Sequence, residues 1–190
     1  MQSMIRPATP DDIAAIARVH VDAWRTTYRG IVPDRYLEEM SYKKSEARWQ
    51  QWFTITANFH HIVVALNASD EVIGFANGGA ERTKHPTFGG ELYAIYILQA
   101  YQRQGYGRGL VGAIATQLEQ SGFSSMLVWA LINNPACRFY EQLGGQPIKQ
   151  QSINIGGKDL VEVAYGWADI KLLINRAFIE RTTHDRPIQD

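Results

Sequence analysis

The sequence is poor in the features that mark several classes of protein. Its 190 residues include one cysteine, Cys137, so no disulfide can form within the chain, which is typical of a reducing compartment. It holds no run of about 18 apolar residues that could form a transmembrane helix, and residues 1–6 lack the apolar segment of a signal peptide. Basic and acidic residues number 19 each, which favours neither nucleic acid nor an anionic membrane as a partner. We therefore expect a cytoplasmic protein with no nucleic-acid or membrane partner.

Apolar periodicity and turn residues predict alternating strands and helices along most of the chain. Short runs rich in β-branched and aromatic residues predict strands at about 62–66, 72–79, 92–98, 125–131, 147–155 and 159–167. Helix-start signals and apolar residues spaced at i, i+4 predict helices between them. Neither all-parallel nor all-antiparallel pairing suits this order. We expect one α/β (α+β) domain with a mixed sheet covered by helices.

The last segment, residues 169–190, combines an apolar helical face with a polar end. By their spacing, the apolar residues share one side of a helix: Ile170, Leu173, Ile174, Ala177 and Phe178. The interpretation that we favour is an amphipathic helix that packs on its own domain and precedes a polar tail. The alternative is a contact between two copies of the chain in a homodimer.

A predicted strand is followed by a glycine-rich turn that opens a helix. Gly105, Gly107 and Gly109 stand where main-chain N–H groups lack a helical acceptor and the helix dipole is positive. Glycine has no Cβ, so such a turn can bring its N–H groups against a ligand. Arg103 and Arg108 add positive charge beside it. The segment therefore predicts a seat for phosphate groups.

Two motifs, in this order, resemble the signatures of the GNAT superfamily of acyl-CoA N-acyltransferases. The first is the turn that begins Gln102-x-x-Gly-x-Gly, and the second is the segment 134–144, NPACRFYEQLG. Residues 5–8, followed by an amphipathic helix, resemble the amino-terminal strand and first helix of the family. The resemblance covers residues 3–168. It implies a GNAT domain with a mixed, mostly antiparallel central sheet of about seven strands flanked by helices.

The resemblance also implies a reaction and a cosubstrate. The family moves an acyl group, most often acetyl, from coenzyme A to an amine, so we expect acetyl-CoA as the cosubstrate. The sequence leaves open which amine accepts the group and whether a longer acyl chain is carried. His60 and His61 would point to opposite faces of a strand, and no other spacing of histidine or cysteine suggests a metal. We therefore expect no metal.

Several residues match positions at which the family holds the cofactor. Main-chain N–H groups of the loop would bind the pyrophosphate, at Gln102, Arg103, Gln104, Gly105, Tyr106, Gly107, Arg108 and Gly109. An irregularity in the preceding strand would free N–H groups near Tyr96, Ile97 and Leu98. Asn134 would both cap a helix and contact the pantetheine arm. Three glycines in five residues cost helix stability of about 1 kcal/mol each, which favours a ligand seat over a structural turn.

Two residues match catalytic positions of the family. Tyr140 matches a tyrosine that often acts as general acid toward the departing thiolate, and the alternative is an aromatic side chain on the buried face of its helix. Glu91 matches a glutamate that often deprotonates the amine, directly or through water. The alternative for Glu91 is an exposed carboxylate at a strand end. Glu81 and His85 are the other candidate bases.

The amine acceptor is less clearly specified by the sequence. The family binds its acceptor between the first helices, where this chain has Trp24, Tyr28 and Tyr36. A loop is expected to face them with Arg82, Lys84, His85 and Phe88. We expect Trp24, Tyr28, His85 and Phe88 to bind the acceptor. Burial in the core is the alternative for the aromatic residues.

Two other functions fit parts of the sequence. Gly107-x-Gly109-x-x-Gly112 satisfies the dinucleotide-binding pattern, but residues 99–104 separate it from the strand and no acidic residue follows the next strand. A dinucleotide-dependent oxidoreductase is therefore the less favoured alternative. The other is a non-catalytic module of the same fold that binds or senses acyl-CoA.

Overall fold

The structure, a computed structural model, describes residues 4–54 and 60–179. Its strands are β1 (Met4–Pro7), β2 (His61–Leu66), β3 (Val72–Ala80), β4 (Gly90–Ile97), β5 (Met126–Leu131), β6 (Gln146–Ile155) and β7 (Lys158–Trp167). Its helices are α1 (Ile13–Thr27), α2 (Asp34–Glu39), α3 (Tyr42–Thr54), α4 (Tyr106–Gln120), α5 (Ala136–Gln142) and α6 (Ile170–Ile179). The order of strands and helices along the chain is the predicted one.

All seven strands join one sheet in the order β1-β2-β3-β4-β5-β7-β6. Among the described strands only β4 and β5 pair in parallel. The other neighbours are antiparallel. The β6–β7 hairpin turns at Gly156 and Gly157, whose φ values of 60° and 84° favour glycine. The predicted mixed, mostly antiparallel sheet is confirmed.

Helices cover both faces of the sheet. Side chains alternate along β2, so Val63 and Ala65 pack on one face while Val64 and Leu66 pack on the other. The first face carries α4, α5 and α6, whose core residues include Leu110, Ile114, Leu118, Tyr140, Ile170 and Leu173. The second face carries α1 and α3, whose core residues include Ile16, Val19 and Trp49. The helical cover expected for a mixed sheet is therefore present on both sides.

Local signals set several helix ends. Before α1, the Asp12 carboxylate accepts the Thr9 N–H at 2.8 Å and pairs with the Arg6 guanidinium at 2.7 Å. Before α3, Ser41 Oγ accepts the Lys44 N–H at 3.1 Å. These bonds satisfy N–H groups that have no acceptor inside a helix. The predicted helix starts at Thr9 and Ser41 therefore have a physical basis in the structure.

Helix α6 packs on its own domain, as favoured from the sequence. Leu173 and Ala177 are 0% and 1% exposed. On α4, a Cβ at Gly112 would lie 2.9 Å from the Ala177 Cβ, so the missing side chain lets the two helices approach closely. The predicted homodimer stays a prediction. The polar tail, residue 3 and the predicted end of α3 at about Thr56 lie outside the described residues.

Strand β4 changes face in its middle. Leu92 and Ile95 both pack toward α4, although an uninterrupted strand would point them to opposite faces. Leu92 and Ala94 pair with consecutive residues of β3, which leaves Tyr93 as an extra residue between them. This is a β-bulge, and it lies next to the last pair that β4 forms with β5.

Candidate functional site

Strands β4 and β5 separate part-way along their length. Their parallel pairing stops at Leu92 and Val128. Beyond that point β4 continues beside β3, and β5 continues beside β7. Because β4 leads to α4 and β5 leads to α5, the two strands diverge toward these two helices. We call the space between them the β4–β5 opening.

The main chain at the end of β4 faces this opening with some of its polar groups. The Leu98 N–H donates to the Ile73 carbonyl oxygen at 2.9 Å, on the β3 side. Main-chain groups alternate in direction along a strand, so those of Ile97 face the opposite side. There Gln102 Nε2 donates to the Ile97 carbonyl oxygen at 3.1 Å. The N–H expected to be free at Leu98 is therefore engaged, and that of Tyr96 faces β3 by the same alternation, so both expectations are corrected. The N–H of Ile97 points toward the opening.

The glycine-rich turn leads from β4 into α4. Gly105 has a φ of 88° and occupies the N-cap position. The first helical hydrogen bond runs from the Gly109 N–H to the Gly105 oxygen at 3.2 Å. The amides of Tyr106 and Gly107 precede it, in the turn whose N–H groups have no helical acceptor. Together with the positive end of the helix dipole, this turn can bind a phosphate group.

The glycines of this turn also have structural reasons. The positive φ of Gly105 would strain any residue with a side chain. A Cβ at Gly107 would lie 3.3 Å from the Phe139 ring. Glycine content alone therefore does not distinguish a phosphate seat from a structural turn. The cost of three glycines to helix stability is thus weaker support for a ligand seat than the sequence indicated. The third glycine of the dinucleotide-type pattern, Gly112, serves the packing of α4 against α6.

Side chains around the turn point in different directions. Arg108 Nη1 donates to the main-chain oxygen of Arg176 on α6 at 3.4 Å. Gln104 Nε2 donates to the Ala100 oxygen at 2.9 Å and closes the loop. Arg103 is exposed. Of the two arginines expected beside the phosphate seat, Arg108 thus also connects α4 to α6, and Arg103 keeps its side chain in solvent.

Tyr140 lies on the buried face of α5 and is 4% exposed. The rings of Tyr165 and Trp167 lie 5.9 and 6.3 Å from its own. Burial, with smaller effects of Tyr28 and Cys137, raises the pKa of the Tyr140 phenol well above its ordinary value. Within the described residues its hydroxyl takes part in no hydrogen bond. The phenol therefore stays neutral, with an O–H group to donate.

Asn134 connects the start of α5 to the end of α1. Its Oδ1 accepts the Ala136 N–H at 2.9 Å, and its Nδ2 donates to the Tyr28 hydroxyl at 3.2 Å. The side chain thus satisfies a donor of the first helical turn, as predicted. The N-cap position itself belongs to Pro135, one residue later than predicted. The contact with a pantetheine arm stays a prediction.

Glu91 is 1% exposed, so it is not the exposed strand-end carboxylate of the alternative interpretation. Arg82 surrounds it. The Arg82 main-chain N–H and Nε lie 3.2 and 3.1 Å from Oε2, and Nη2 contacts Oε1. Hydrogen bonding to Glu91 raises the pKa of Arg82. The guanidinium also lies 4.4 Å from the centre of the Tyr93 ring. This pair was not predicted from the sequence, because it forms only when residues 80 and 90 pair in the β3–β4 hairpin.

Glu81, a candidate base, is bound within its own loop. Its carboxylate accepts the main-chain N–H groups of Thr83 and His85 at 2.9 and 2.6 Å. Burial raises the pKa of Glu81, but the hydrogen bonds from Thr83 and His85 outweigh burial and hold it below the ordinary value. This carboxylate therefore orders the loop and is poorly placed to accept a proton.

His85 and Phe88, two of the predicted acceptor residues, lie in ring contact with each other. Their rings are 5.0 Å apart, and Phe88 is 7% exposed. Phe88 packs so closely on Gly166 of β7 that no Cβ would fit there. Among the described residues no ring contact joins this pair to Trp24. Within the part of the chain that the structure describes, ring contacts thus do not join His85 and Phe88 to Trp24 and Tyr28, and an acceptor site shared by these four residues stays a prediction.

Aromatic residues do meet at the end of α1. The Trp24 ring lies 4.5 Å from Tyr28, 5.8 Å from Tyr36 and 6.4 Å from Tyr96. Trp24 Nε1 is buried and has no hydrogen-bond partner within the described residues. His20, which the sequence analysis did not single out, lies 5.4 Å from Tyr96. Because Tyr28 also belongs to a buried cluster, the core interpretation is partly correct.

His60 and His61 face opposite sides of the sheet, as their alternation predicts. His60 stacks on Tyr93 at 5.9 Å, and His61 Nε2 lies 3.0 Å from the Oγ of Ser121, which follows α4. Within residues 4–54 and 60–179, no group of three or more histidine, cysteine or acidic residues is arranged to hold a metal ion. The same part of the chain contains no helix with the length and apolar character needed to cross a membrane.

Comparisons with known proteins decide the family. The model of the acetyltransferase (GNAT) family matches residues 17–145. The protein named uncharacterized N-acetyltransferase YuaI, from Bacillus subtilis (strain 168), is 41% identical over 175 residues, which cover 90% of this chain and 98% of the relative. The chain belongs to the acetyltransferase (GNAT) family. The resemblance found in the sequence is therefore confirmed, and this GNAT protein is classed as an acetyltransferase.

Solved GNAT structures share the fold. A phosphinothricin acetyltransferase from Sinorhizobium meliloti in complex with AcCoA has a TM-score of 0.69 at 23% identity, and 88% of each chain is covered. An N-acetyltransferase from Staphylococcus aureus Mu50 has a TM-score of 0.69 at 18% identity, over 90% of this chain and 99% of that one. The PaiA N-acetyltransferase from Thermoplasma acidophilum in complex with coenzyme A has a TM-score of 0.63 at 20% identity, over 88% and 100%. At these identities the likeness shows the fold.

Proposed function

We propose that this GNAT protein transfers an acetyl group from acetyl-CoA to a primary amine. The observation that carries the proposal is the β4–β5 opening, which lies between the strand leading to the glycine-rich turn and the strand leading to Tyr140. The related structures from Sinorhizobium meliloti and Thermoplasma acidophilum hold AcCoA and coenzyme A. Family membership and the bound molecules of these relatives both support acetyl-CoA as the cosubstrate.

The residues present fit the two ends of this cosubstrate. A diphosphate needs N–H donors and positive charge, and the first turn of α4 offers the amides of Tyr106 and Gly107 beside the exposed Arg103. The remaining loop residues proposed for the diphosphate are Gln102, Gln104, Gly105, Arg108 and Gly109. The arm would follow the edge of β4 at Tyr96 and Ile97 and pass Asn134. The thioester supplies an acetyl group that is activated toward an amine.

The proposed chemistry is direct attack. The nitrogen lone pair forms a bond to the acetyl carbon, the carbon–sulfur bond breaks, and the sulfur departs with the electron pair as a thiolate. Tyr140 is proposed to donate its O–H to that sulfur. Because burial raises the pKa of Tyr140, full proton transfer is more uphill than for a free phenol. We therefore expect Tyr140 to act mainly through a hydrogen bond to the developing charge.

The amine must also lose a proton, which Glu91 is proposed to accept. Lys-like amines have a pKa near 10 and are mostly protonated at neutral pH, so a proton acceptor is needed. Glu91 is close to the bulge of β4, but its carboxylate oxygens are occupied by Arg82. An amine can therefore approach these hydrogen-bonded positions of the carboxylate only when Arg82 shifts away. Trp24 and Tyr28 are proposed to contact the acceptor on the α1 side.

Two measurements test this function separately. Calorimetric titration with coenzyme A should give saturable heat with one site per chain. Release of free thiol from acetyl-CoA should then depend on an added amine, which a panel of amino acids, polyamines, aminoglycosides and peptides can detect. No heat with coenzyme A would overturn the proposal. Binding without turnover on any amine would favour the non-catalytic acyl-CoA sensor instead.

A further inference from the structure

The Arg82–Glu91 ion pair is open to solvent on one side only. The Glu91 side chain is 2% exposed, whereas that of Arg82 is 52% exposed. A buried carboxylate is costly without a counter-charge, so Glu91 depends on Arg82. Arg82 does not depend on Glu91 in the same way, because water can solvate its exposed part. An incoming anion can therefore compete for the cation of the pair.

The guanidinium is held in a fixed orientation. One face lies over the Tyr93 ring at 4.4 Å, and Nε and Nη2 point to Glu91. A guanidinium has five N–H donors in a planar fork. Nη1 takes part in no hydrogen bond within the described residues. Nη1 thus offers an incoming carboxylate a first contact, from which the carboxylate can go on to replace Glu91 at Nη2.

The charges around the pair favour an acceptor with an anionic group. Glu81, the other acid of this loop, is engaged by Thr83 and His85 and leaves Arg82 available. Lys84 lies two residues beyond Arg82 and is exposed. Acceptors with several positive charges, such as polyamines and aminoglycosides, would be repelled by these two cations. An amine that carries its own carboxylate would be attracted to them through that carboxylate.

A zwitterion carries one positive and one negative charge, each opposite to one member of this ion pair. We propose that Arg82 and Glu91 together recognise α-amino acid acceptors, whose carboxylate takes the Arg82 guanidinium and thereby releases Glu91 for the neighbouring ammonium group. The inference rests on the proposed N-acetyltransferase function. One internal ion pair is replaced by two intermolecular pairs. Because Arg82 and Glu91 are in contact, the carboxylate and amine of one small molecule can reach both.

The exchange of ion pairs also brings the ammonium group of the acceptor to Glu91, which can take its proton. An ammonium hydrogen moves to a Glu91 oxygen, and the nitrogen keeps the electron pair that forms the bond to the acetyl carbon. The carbon–sulfur bond breaks, the sulfur leaves as a thiolate, and the second surplus proton of the nitrogen passes to that thiolate. The proton on Glu91 then passes to water, and Arg82 returns to the carboxylate when the product leaves. Arg82 thus keeps Glu91 engaged until an acceptor with a carboxylate binds.

The test compares L-methionine, L-phenylalanine and L-glutamate with their α-amides, which differ from them in one charge. An α-amine next to an amide has a pKa of about 7.7–8.0, so the amides would react more readily if charge recognition played no part. We expect kcat/KM to favour the best amino acid over its amide by about tenfold or more. In Arg82→Gln the amino acid and its amide should have nearly equal kcat/KM, mainly because KM for the amino acid rises.

Glu91→Gln separates binding from proton transfer. It leaves Arg82 free, so KM for the amino acid should stay the same or fall, while kcat drops by about 100-fold or more. Arg82→Gln leaves a buried carboxylate without a counter-charge and can unfold the protein. The double variant Arg82→Gln/Glu91→Gln removes both charges and should fold, with weak amino-acid binding by calorimetry. Arg35→Gln, which breaks an exposed pair with Glu39, is the matched control and should keep the preference.

The outcomes distinguish this inference from the function on which it rests. Equal use of amino acids and amides, or preference for the amides, as expected of an enzyme for peptide amino termini, overturns the inference and leaves the transferase intact. A preference for amino acids that persists in Arg82→Gln or in the double variant also overturns the inference and leaves the transferase intact. Coenzyme A binding with turnover only on amines that lack a carboxylate also overturns it. Absence of coenzyme A binding overturns the transferase proposal itself.

Discussion

The amide of Asn134 donates a hydrogen bond to the hydroxyl of Tyr28 at 3.2 Å, across 106 residues of sequence. Both residues are buried, at 9% and 8% exposure. Because Asn134 also accepts the Ala136 N–H, one side chain fixes the start of α5 and the end of α1 relative to each other. The two proposed halves of the site, for acetyl-CoA and for the acceptor, therefore meet at this contact.

Tyr28→Phe removes the acceptor of that hydrogen bond. A buried donor left without its partner costs about 1–3 kcal/mol, so the free energy of unfolding should fall by about 1 kcal/mol or more in urea titrations. Tyr36→Phe is the matched control, because the Tyr36 ring belongs to the same cluster and its hydroxyl makes no hydrogen bond within the described residues. Its effect should stay below about 0.5 kcal/mol. Equal losses in the two variants would contradict the role given to the bond.

Gly105→Ala tests the proposed phosphate seat at the start of α4, and Gly122→Ala beyond the other end of α4 is its control. Gly105 and Gly122 have φ values of 88° and 92°, and a Cβ at either would have no neighbour within 4 Å. Alanine at each should therefore cost about 1 kcal/mol of folding stability through backbone strain alone. Only Gly105 precedes the first turn of α4, so only Gly105→Ala should also weaken coenzyme A binding, by about tenfold.

Calorimetric titration of both glycine variants makes the comparison. A similar loss of affinity in Gly122→Ala would mean that lower stability, and not the local turn, causes the weakening. Unchanged affinity in both would remove the turn from the proposed cofactor site. Circular dichroism would verify that each variant keeps the fold of the parent chain.

Most of the fold could be predicted because its signals are local. The short runs rich in β-branched and aromatic residues, the start signals at Thr9 and Ser41 and the Gly156–Gly157 turn each act over a few residues. The corresponding elements are present. The bulge at Tyr93 could not be located in this way. It depends on how β4 pairs with β3, and nothing in the side chains of 91–97 marks the extra residue.

The site is less visible in the sequence because its contacts join distant residues. The motif predicts Tyr140 and Asn134 as neighbours on one helix, but not the bond from Asn134 to Tyr28. Glu91 was predicted with no partner, since the ion pair with Arg82 arises only when the loop between β3 and β4 closes. Phe88 was predicted to bind the acceptor, and its close packing on the distant Gly166 could not be predicted from the sequence.

Tyr140→Phe tests the proposed hydrogen bond to the thiolate. The variant keeps the ring and its packing but lacks the donor, so kcat should fall by about 10- to 100-fold while coenzyme A affinity changes by less than about twofold. Tyr165→Phe is the control. Its ring lies 5.9 Å from Tyr140, and its hydroxyl donates to Glu141 at 3.0 Å. Full turnover in Tyr140→Phe, measured by thiol release, would end the assignment.

Two adjacent leucines test the role of α6. Leu173 is 0% exposed and Leu172 is 59% exposed. Leu173→Ala should lower the free energy of unfolding by about 2–5 kcal/mol, whereas Leu172→Ala should change it by less than about 0.5 kcal/mol. Sedimentation should give the same mass for both variants and the parent chain. A lower mass for Leu172→Ala would instead indicate that the exposed side of α6 joins two copies.

His20 predicts a specific dependence of stability on pH. It lies on α1 and faces α3, with Nδ1 2.9 Å from Ser45 Oγ, and it is 8% exposed. Burial, with a smaller effect of the positive Arg48, lowers the pKa of His20 to about 4, compared with 6.5 in the unfolded chain. Between these values the unfolded chain binds the proton and the folded chain does not, so stability falls as pH falls.

The stabilising contribution is therefore complete above pH 6.5 and decreases by about 3 kcal/mol down to pH 4. Urea titrations at several pH values would measure it in the parent chain and in His20→Gln, which cannot take up a proton. Burial also lowers the pKa values of His60 and His61, but these act in both proteins, so the difference between the two profiles isolates His20. Parallel profiles across this interval would show that His20 titrates normally in the folded protein and that its aromatic surroundings leave room for the charge.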